Sequence, residues 1–417
     1  MRIAFVNQPY DQVLPPRQNS IGLIVFNTAI EMVNDAQVTL IGKPFDGTSD
    51  PQWAKRYLPI PAPLDNALHM AASRYPRWIS KFHLEWLADA HPQYAQRAAA
   101  AAAAIEPGIV HLMNYWSWSR TLQAEIRPKS KLVLEMQCEW LSQKDKTAVA
   151  RQLESVDAIA AVSDHIGNLI RRRFPDYPRP IVTVYNGVNC DVFQPGTQNA
   201  AQGEELRTLF VGRVSPEKGV HTLIEAFAQV AQRFPAARLE LVGGRGSLPA
   251  DLLVNLSDDP LVFALRRFYD GTVTQNYANY LDQLVVKLGL QDRVHFAGAL
   301  PHHELVKAYQ NADLVVNPSL SESFGISIVE GMACGKPVIG TRIGGMKETI
   351  IDGETGLQVD PERPDLLAQA IVSVLENRDK AGSMGRAGRQ RAVEQFSWRA
   401  RAVRLRRLYD QIHQRPM

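Results

Sequence analysis

Glu322 and Glu330 stand either side of a Phe324-Gly325 turn, with seven residues between them. The apolar run 312–316 before them reads as a buried strand, and Ile328 to Ala333 after the turn reads as a helix. A strand, a tight turn and a helix N-terminus together present backbone N–H groups to an anion. The two carboxylates add acceptors for hydroxyl groups. A ligand rich in both hydroxyls and phosphate suits this combination, and a nucleotide sugar is the natural candidate.

A second cluster, Gly212-Arg213-Val214-Ser215-Pro216-Glu217-Lys218-Gly219, joins a strand-like run from Arg207 to an amphipathic segment. That segment carries Val220, Leu223, Ile224, Phe227 and Val230 at helical spacing. Arg213 and Lys218 therefore ride at the carboxyl end of a strand. Arginine offers a planar fork to phosphate oxygens and lysine a compact charge. Together they can neutralise a diphosphate without metal, and most strongly as charge grows on it during departure. Either cluster alone is also compatible with an ordinary surface loop or a pair of solvated carboxylates. Their combination carries the reading.

The elements that hold these residues follow from periodicity. In the first half, strand candidates are Ile3–Val6, Val38–Ile41, Ile109–Leu112, Leu132–Glu135, Ala158–Val162 and Ile181–Val184. In the second half they are residues 207–212, Leu239–Val242, Val294–Ala297, Leu314–Val316, Pro337–Gly340 and Gly356–Val359. Helical runs separate them, which predicts an α/β fold with parallel sheets. The polar, turn-rich stretch from Phe193 to Gly203 reads as a linker. We expect two doubly wound domains, residues 1–197 and 205–397, facing across a cleft, with ligands at the strands' carboxyl ends. The arginine-rich segment from Trp398 has a helical pattern that periodicity alone does not place. The segments 64–107 and 251–275 are longer than simple connections require.

Composition narrows the classes. The chain has 417 residues, 45% of them apolar, and a net charge of +3, which gives no argument for nucleic acid. Arg171-Arg172-Arg173 reads as a solvated helix end, with a membrane-surface or acidic-ligand contact as the alternative. Three cysteines, Cys138, Cys190 and Cys334, oppose a disulfide framework or zinc site and fit a reducing cytoplasm. No run approaches the ~18 apolar residues of a membrane span, so membrane contact is expected to be peripheral at most.

Further motifs fall in order along the second half: Val242-Gly243-Gly244-Arg245-Gly246, Val294-His295-Phe296-Ala297-Gly298, Gly335-Lys336-Pro337-Val338, and Gly344-Gly345 with Glu348. With the two clusters above, this series resembles the nucleotide-binding half of the retaining glycosyltransferases of family 4, which have the two-Rossmann-domain GT-B architecture. The resemblance covers residues 205–400. It implies that Arg213 and Lys218 hold the donor diphosphate and Glu330 the ribose. Glu322 and the amides of Phe324, Gly325 and Ile326 would hold the donor sugar. Val294 to Gly298 would line the base pocket, and Gly243 and Gly244 would let the chain approach the nucleotide. The family is metal-independent, no Asp-x-Asp motif occurs here, and its last helix crosses back to the first domain.

The resemblance extends more loosely to the first half. Residues 185–189 and 191–195 match the segment before the linker, although Asn186-Gly187 is also simply a good turn. The family's glycine-rich N-terminal turn is here Asn19-Ser20-Ile21-Gly22; only Gly22 keeps the pattern, and Ser20 is a candidate helix cap. Where many relatives carry His-x-His, this chain has His111-Leu112-Met113, and Gln137 occupies a later position that often holds histidine. His111 is a candidate catalytic residue by the family pattern, or a core histidine with its nitrogens satisfied. Glu139 is an acceptor-side base or a surface carboxylate. Tyr115, Trp116, Trp118 and Trp140 could stack on sugar rings or fill core and lid.

The resulting expectation is a cytoplasmic, retaining, metal-independent enzyme with no permanently bound cofactor. It would move a hexose from a UDP-sugar, or a GDP- or ADP-sugar, to a hydroxyl of a sugar, glycolipid or small molecule. In the family's same-face mechanism the leaving phosphate takes the acceptor proton, so no dedicated base is needed. The alternatives are a nucleotide-sugar-binding protein without transfer activity, and a GT-B sugar epimerase or phosphorylase.

Overall fold

The computed structural model describes residues 1–16, 18–45, 50–74, 90–196, 205–246, 250, 253–269 and 277–414. The chain divides into two compact units: residues 1–187 with 401–417, and residues 188–400.

The first unit holds a seven-stranded parallel sheet. Its strands are β1 (Arg2–Val6), β2 (Gln37–Gly42), β3 (Tyr57–Pro59), β4 (Ile109–Met113), β5 (Lys131–Met136), β6 (Ala158–Ala161) and β7 (Ile181–Thr183), in the spatial order β3-β2-β1-β4-β5-β6-β7. The central strands are runs of Val, Ile, Leu and Ala because helices cover both faces of a parallel sheet. Every residue of β4 is buried. The order reverses between β1 and β4, which makes that edge a topological switch point.

The second unit repeats the plan with six strands. These are β8 (Leu206–Val211), β9 (Ala237–Val242), β10 (Val294–Gly298), β11 (Leu314–Asn317), β12 (Val338–Thr341) and β13 (Leu357–Val359), in the order β10-β9-β8-β11-β12-β13. All the pairings are parallel. Its switch point lies between β8 and β11, the two strands that feed the residues singled out above. The helix Val220–Arg233 turns Leu223, Ile224, Phe227 and Val230 into the core, as their spacing requires.

One expectation changes. Phe193 is not linker: it is 1% exposed and packs edge-on against Tyr309, with ring centroids 5.8 Å apart. Residues 197–203 of the expected linker lie outside the described residues. Of the long segments, 75–89, 251–252 and 270–275 also lie outside them. Residues Leu253, Val254, Leu261, Leu265 and Phe268 form a small cluster against Leu320, beside the β11 loop. Among the described residues, no helix is long and apolar enough to cross a membrane.

Candidate donor site at the β8 and β11 ends

After β8 the chain makes a short 3₁₀ turn, Pro216–Lys218, before the helix Val220–Arg233. Glu217 points inward, with a side chain only 3% exposed, and accepts from Arg213 Nη2 at 3.2 Å. The Ser215 hydroxyl donates to the same carboxylate oxygen at 2.6 Å. Arg213 is thereby held on one side while its side chain stays 40% exposed. Leu320 N–H donates to the Glu217 carbonyl at 2.8 Å, which ties this turn to the loop after β11.

That loop brings Glu322 to Lys218, with Oε2 and Nζ 2.7 Å apart. Burial pushes the Glu322 carboxyl up, but the Lys218 ammonium and donated hydrogen bonds outweigh it and hold it below the usual range. One of those bonds comes from the Phe324 backbone N–H. The Phe324 amide is therefore engaged with Glu322, and Gly325 and Ile326 supply the amides at the mouth of the helix Ile326–Ala333. The Phe324 ring is buried and meets the edge of Phe396.

Glu330 sits one turn along that helix and is 9% exposed. The Tyr309 hydroxyl donates to its Oε2 at 2.7 Å. Burial pushes the carboxyl up to about 7, with the Tyr309 hydrogen bond pulling the other way.

The glycines divide by role. At Gly243 (φ 151°), a Cβ would lie 1.8 Å from the Gly212 carbonyl oxygen, so this glycine exists to let the β9 loop pass the β8 loop. At Gly244 a Cβ would meet nothing within 4 Å. Of this adjacent pair, Gly244 is the one with the open surround of a position that a ligand can approach. Gly243 N–H donates to the Gly298 carbonyl at 2.8 Å, placing the carboxyl end of β10 beside these loops. Val294 is at the other end. It begins β10, pairs with Leu239 and is buried in the hydrophobic core. Four residues of extended strand put it ~13 Å from Gly298. The expectation that Val294 lines a base pocket is corrected: the Gly298 end is the one near the site.

In the first unit, Gly22 lies in the helix Ser20–Met32, where a Cβ would fall 1.8 Å from the Gln12 carbonyl oxygen. The loop after β1 crosses the helix there, and no side chain fits. The N-cap is Asn19 rather than Ser20: Asn19 Oδ1 accepts from the Gly22 N–H at 2.9 Å. Asn19 also donates to Asp11 at 2.8 Å, which fixes the loop.

His111 has no exposed surface. Its Nε2 lies 3.0 Å from Glu135 Oε2 and its Nδ1 2.7 Å from the Tyr409 hydroxyl. Glu135 receives two 2.7 Å hydrogen bonds from Arg401 Nη2. Burial pushes the Glu135 carboxyl up, yet Arg401 and His111 together bring it down to about 2. These contacts match the core reading of His111 and correct the catalytic one, because an enclosed ring with both nitrogens engaged does not touch a substrate. Gln137 and Asn186 hydrogen-bond each other through both amide groups. Asn186 therefore braces the β5 end, and residues 184–187 form no turn. Trp118 is core, 2% exposed, with Nε1 donating to the Ala90 carbonyl. Trp116 and Trp140 are half-buried. Glu139 is part-exposed and lies 3.1 Å from His165 Nε2.

Two positions escaped the sequence reading, Tyr309 and Asn317, and Glu217 was quoted within its cluster without a role. Asn317 ends β11, and its amide donates to Ser327 Oγ at 3.2 Å while Oδ1 accepts from Ser319. The polar Asn317-Pro318-Ser319 at the end of an apolar strand was the available signal. Tyr309 left none, since its partner is 21 residues away.

Two family models match in tandem: Glycosyltransferase Family 4 over residues 25–192 and Glycosyl transferases group 1 over residues 196–391. A D-inositol 3-phosphate glycosyltransferase of Corynebacterium diphtheriae is 30% identical over 266 residues, 62% of this chain and 56% of that protein. The chain thus spans little more than half the length of that relative. Among solved structures, sucrose-phosphate synthase from Thermosynechococcus elongatus superimposes with a TM-score of 0.71 at 24% identity, covering 99% of this chain and 98% of that one. Anabaena HepE in complex with UDP gives 0.71 at 18% identity, covering 99% and 100%; the same protein has also been solved with UDP-glucose. The fold of the two sheets, the tandem match and the ordered motifs agree, and the chain belongs to the GT-B glycosyltransferases of the family 4 type.

Proposed function

We propose that this protein transfers a hexose from a nucleoside diphosphate sugar, UDP-sugar first, to an acceptor hydroxyl, with retention at the anomeric carbon and without a metal ion. The observation that carries the reading is the convergence of Arg213, Lys218, Glu322 and Glu330 at the β8 and β11 ends of one sheet. Arg213 and Lys218 face the diphosphate. As the glycosidic bond to the β-phosphate breaks, their charge stabilises the departing oxygens more than the bound donor. The acceptor proton passes to that leaving phosphate on the same face, so the enclosed His111 is not required. Glu322 accepts from hydroxyls of the transferred sugar, and Glu330 from the ribose. The complexes of HepE with UDP and UDP-glucose support the choice of base. The name of the bacterial relative favours a phosphorylated polyol among possible acceptors.

A thermal-shift panel of UDP, GDP, ADP and their sugar conjugates, with and without EDTA, tests this reading. A ligand that binds only the folded state raises its stability by mass action. A selective shift from uridine compounds, unchanged by EDTA and lost in Glu330→Ala, is expected. No shift from any nucleotide overturns the donor site.

A further inference from the structure

We propose that Tyr309 is a positioning residue for donor recognition, holding Glu330 for the ribose, and that Phe193 holds Tyr309 in turn. This rests on the donor reading above and adds residues from outside the two motif loops.

Tyr309 lies near the end of the helix His302–Asn311 and has no exposed surface. Among the described residues, its hydroxyl is the hydrogen-bond donor to the Glu330 carboxylate, at 2.7 Å. A carboxylate offers about four acceptor sites. Tyr309 occupies one and fixes the plane of the group, leaving the rest for two ribose hydroxyls. Without that bond, a carboxylate at 9% exposure would be free to turn, and burial would favour its neutral form, which accepts fewer hydrogen bonds.

The ring has its own support. The Phe193 ring meets it edge-on at 5.8 Å. The backbone around Phe193 is fastened by Arg389, whose guanidinium donates to the carbonyls of Phe193 at 2.7 Å, Cys190 at 2.9 Å and Ala333 at 2.7 Å. Ala333 ends the helix that carries Glu330. The segment 190–193, the tyrosine and the ribose-side helix are therefore one braced assembly. Phe193 is a working part of that assembly, which a turn-and-linker reading of its sequence does not reveal.

Calorimetric titration with UDP and with 2′,3′-dideoxy-UDP tests this in the full chain. Tyr309→Phe keeps the ring and its Phe193 contact and removes one hydroxyl. We expect it to weaken UDP about tenfold and to leave the dideoxy compound unchanged, because that ligand has no ribose hydroxyls to misplace. In turnover assays the loss falls on the donor KM rather than on kcat. Phe193→Leu, which keeps the hydroxyl and loosens the ring, gives a smaller loss of the same selectivity, and serves should Tyr309→Phe fold poorly. Equal weakening of both ligands marks a packing role and overturns the proposal. Wild-type affinity in Tyr309→Phe, alongside a clear loss in Glu330→Gln, also overturns it while sparing the donor reading. Failure of the wild type to bind either nucleotide removes the donor reading and this inference with it.

Discussion

Lys218 Nζ and Glu322 Oε2 are 2.7 Å apart, joining the loop after β8 to the loop after β11 across the switch point of the second sheet. The ammonium proposed to face the diphosphate and the carboxylate proposed to face the sugar are direct partners. Neither can be removed without altering the other.

Lys218→Ala and Glu322→Ala should each lower kcat/KM by about 10²–10³, the scale of losing one preorganised transition-state contact. Because the two act as a unit, the double variant should lose much less than the product of the single losses. Steady-state kinetics with unchanged circular dichroism checks this. Near-normal turnover in both single variants would sink the assignment of the site.

Glu330 gives the site a pH dependence. Its folded pKa is raised by burial from the ordinary 4.5 to about 7. Between those values the folded state keeps a proton that the unfolded state releases, so stability falls as pH rises through the window. The linkage amounts to about 3 kcal/mol in this buried group. Glu330→Gln should abolish that fall, so the difference in Tm between wild type and variant changes steadily from pH 4.5 to 7. Donor affinity should move the opposite way, tightening as the carboxylate ionises near pH 7. A flat affinity profile across pH 6 to 8 would remove Glu330 from ribose recognition.

The strands were legible because a parallel sheet covered on both faces must be written as continuous apolar runs. β3 was not, because three residues ending in Pro59 carry too little pattern. The positions of Arg213, Lys218, Glu322 and Glu330 after β8 and β11 were legible because each lies in the loop or helix that directly follows its strand, where local spacing fixes position. Val294 was misplaced because a motif gives the strand but not which end faces the ligand. Phe193 was hidden by its polar neighbours, whose composition reads as linker although the ring itself is core. The bonds Arg401–Glu135 and Tyr309–Glu330 span 266 and 21 residues, and tertiary pairing of that kind has no period to detect.

The Arg401–Glu135–His111–Tyr409 network should behave as structure, not catalysis. Arg401→Ala strands a fully buried carboxylate and should cost about 3–5 kcal/mol. Glu135 is held at about 2, below its ordinary 4.5, so its stabilising effect is complete above pH 4.5 and is lost as pH falls toward 2. Arg401→Ala should therefore weaken the acid dependence of unfolding as well as lower Tm. His111→Gln should lower Tm, with turnover per folded molecule close to wild type. A hundredfold loss of turnover in a stably folded His111→Gln would return this histidine to the active site.

Gly243 and Gly244 are adjacent, yet alanine should act on them in opposite ways. At Gly243 the new Cβ would strike the Gly212 carbonyl oxygen from a backbone conformation that L side chains rarely adopt. The β8 and β9 loops must then part, at about 1–3 kcal/mol for the strain alone, and Arg213, next to Gly212, moves with them. Gly243→Ala should thus lower both Tm and donor affinity. At Gly244 the Cβ meets no protein atom within 4 Å, so Gly244→Ala should leave Tm unchanged. If the nucleotide passes over this glycine, the methyl group occupies part of its space and donor affinity falls about tenfold or more, as expected when a close contact is blocked. Thermal melts with nucleotide titrations separate the two cases. Unchanged affinity in Gly244→Ala would place the nucleotide elsewhere on the loop and leave Gly243 with its packing role alone.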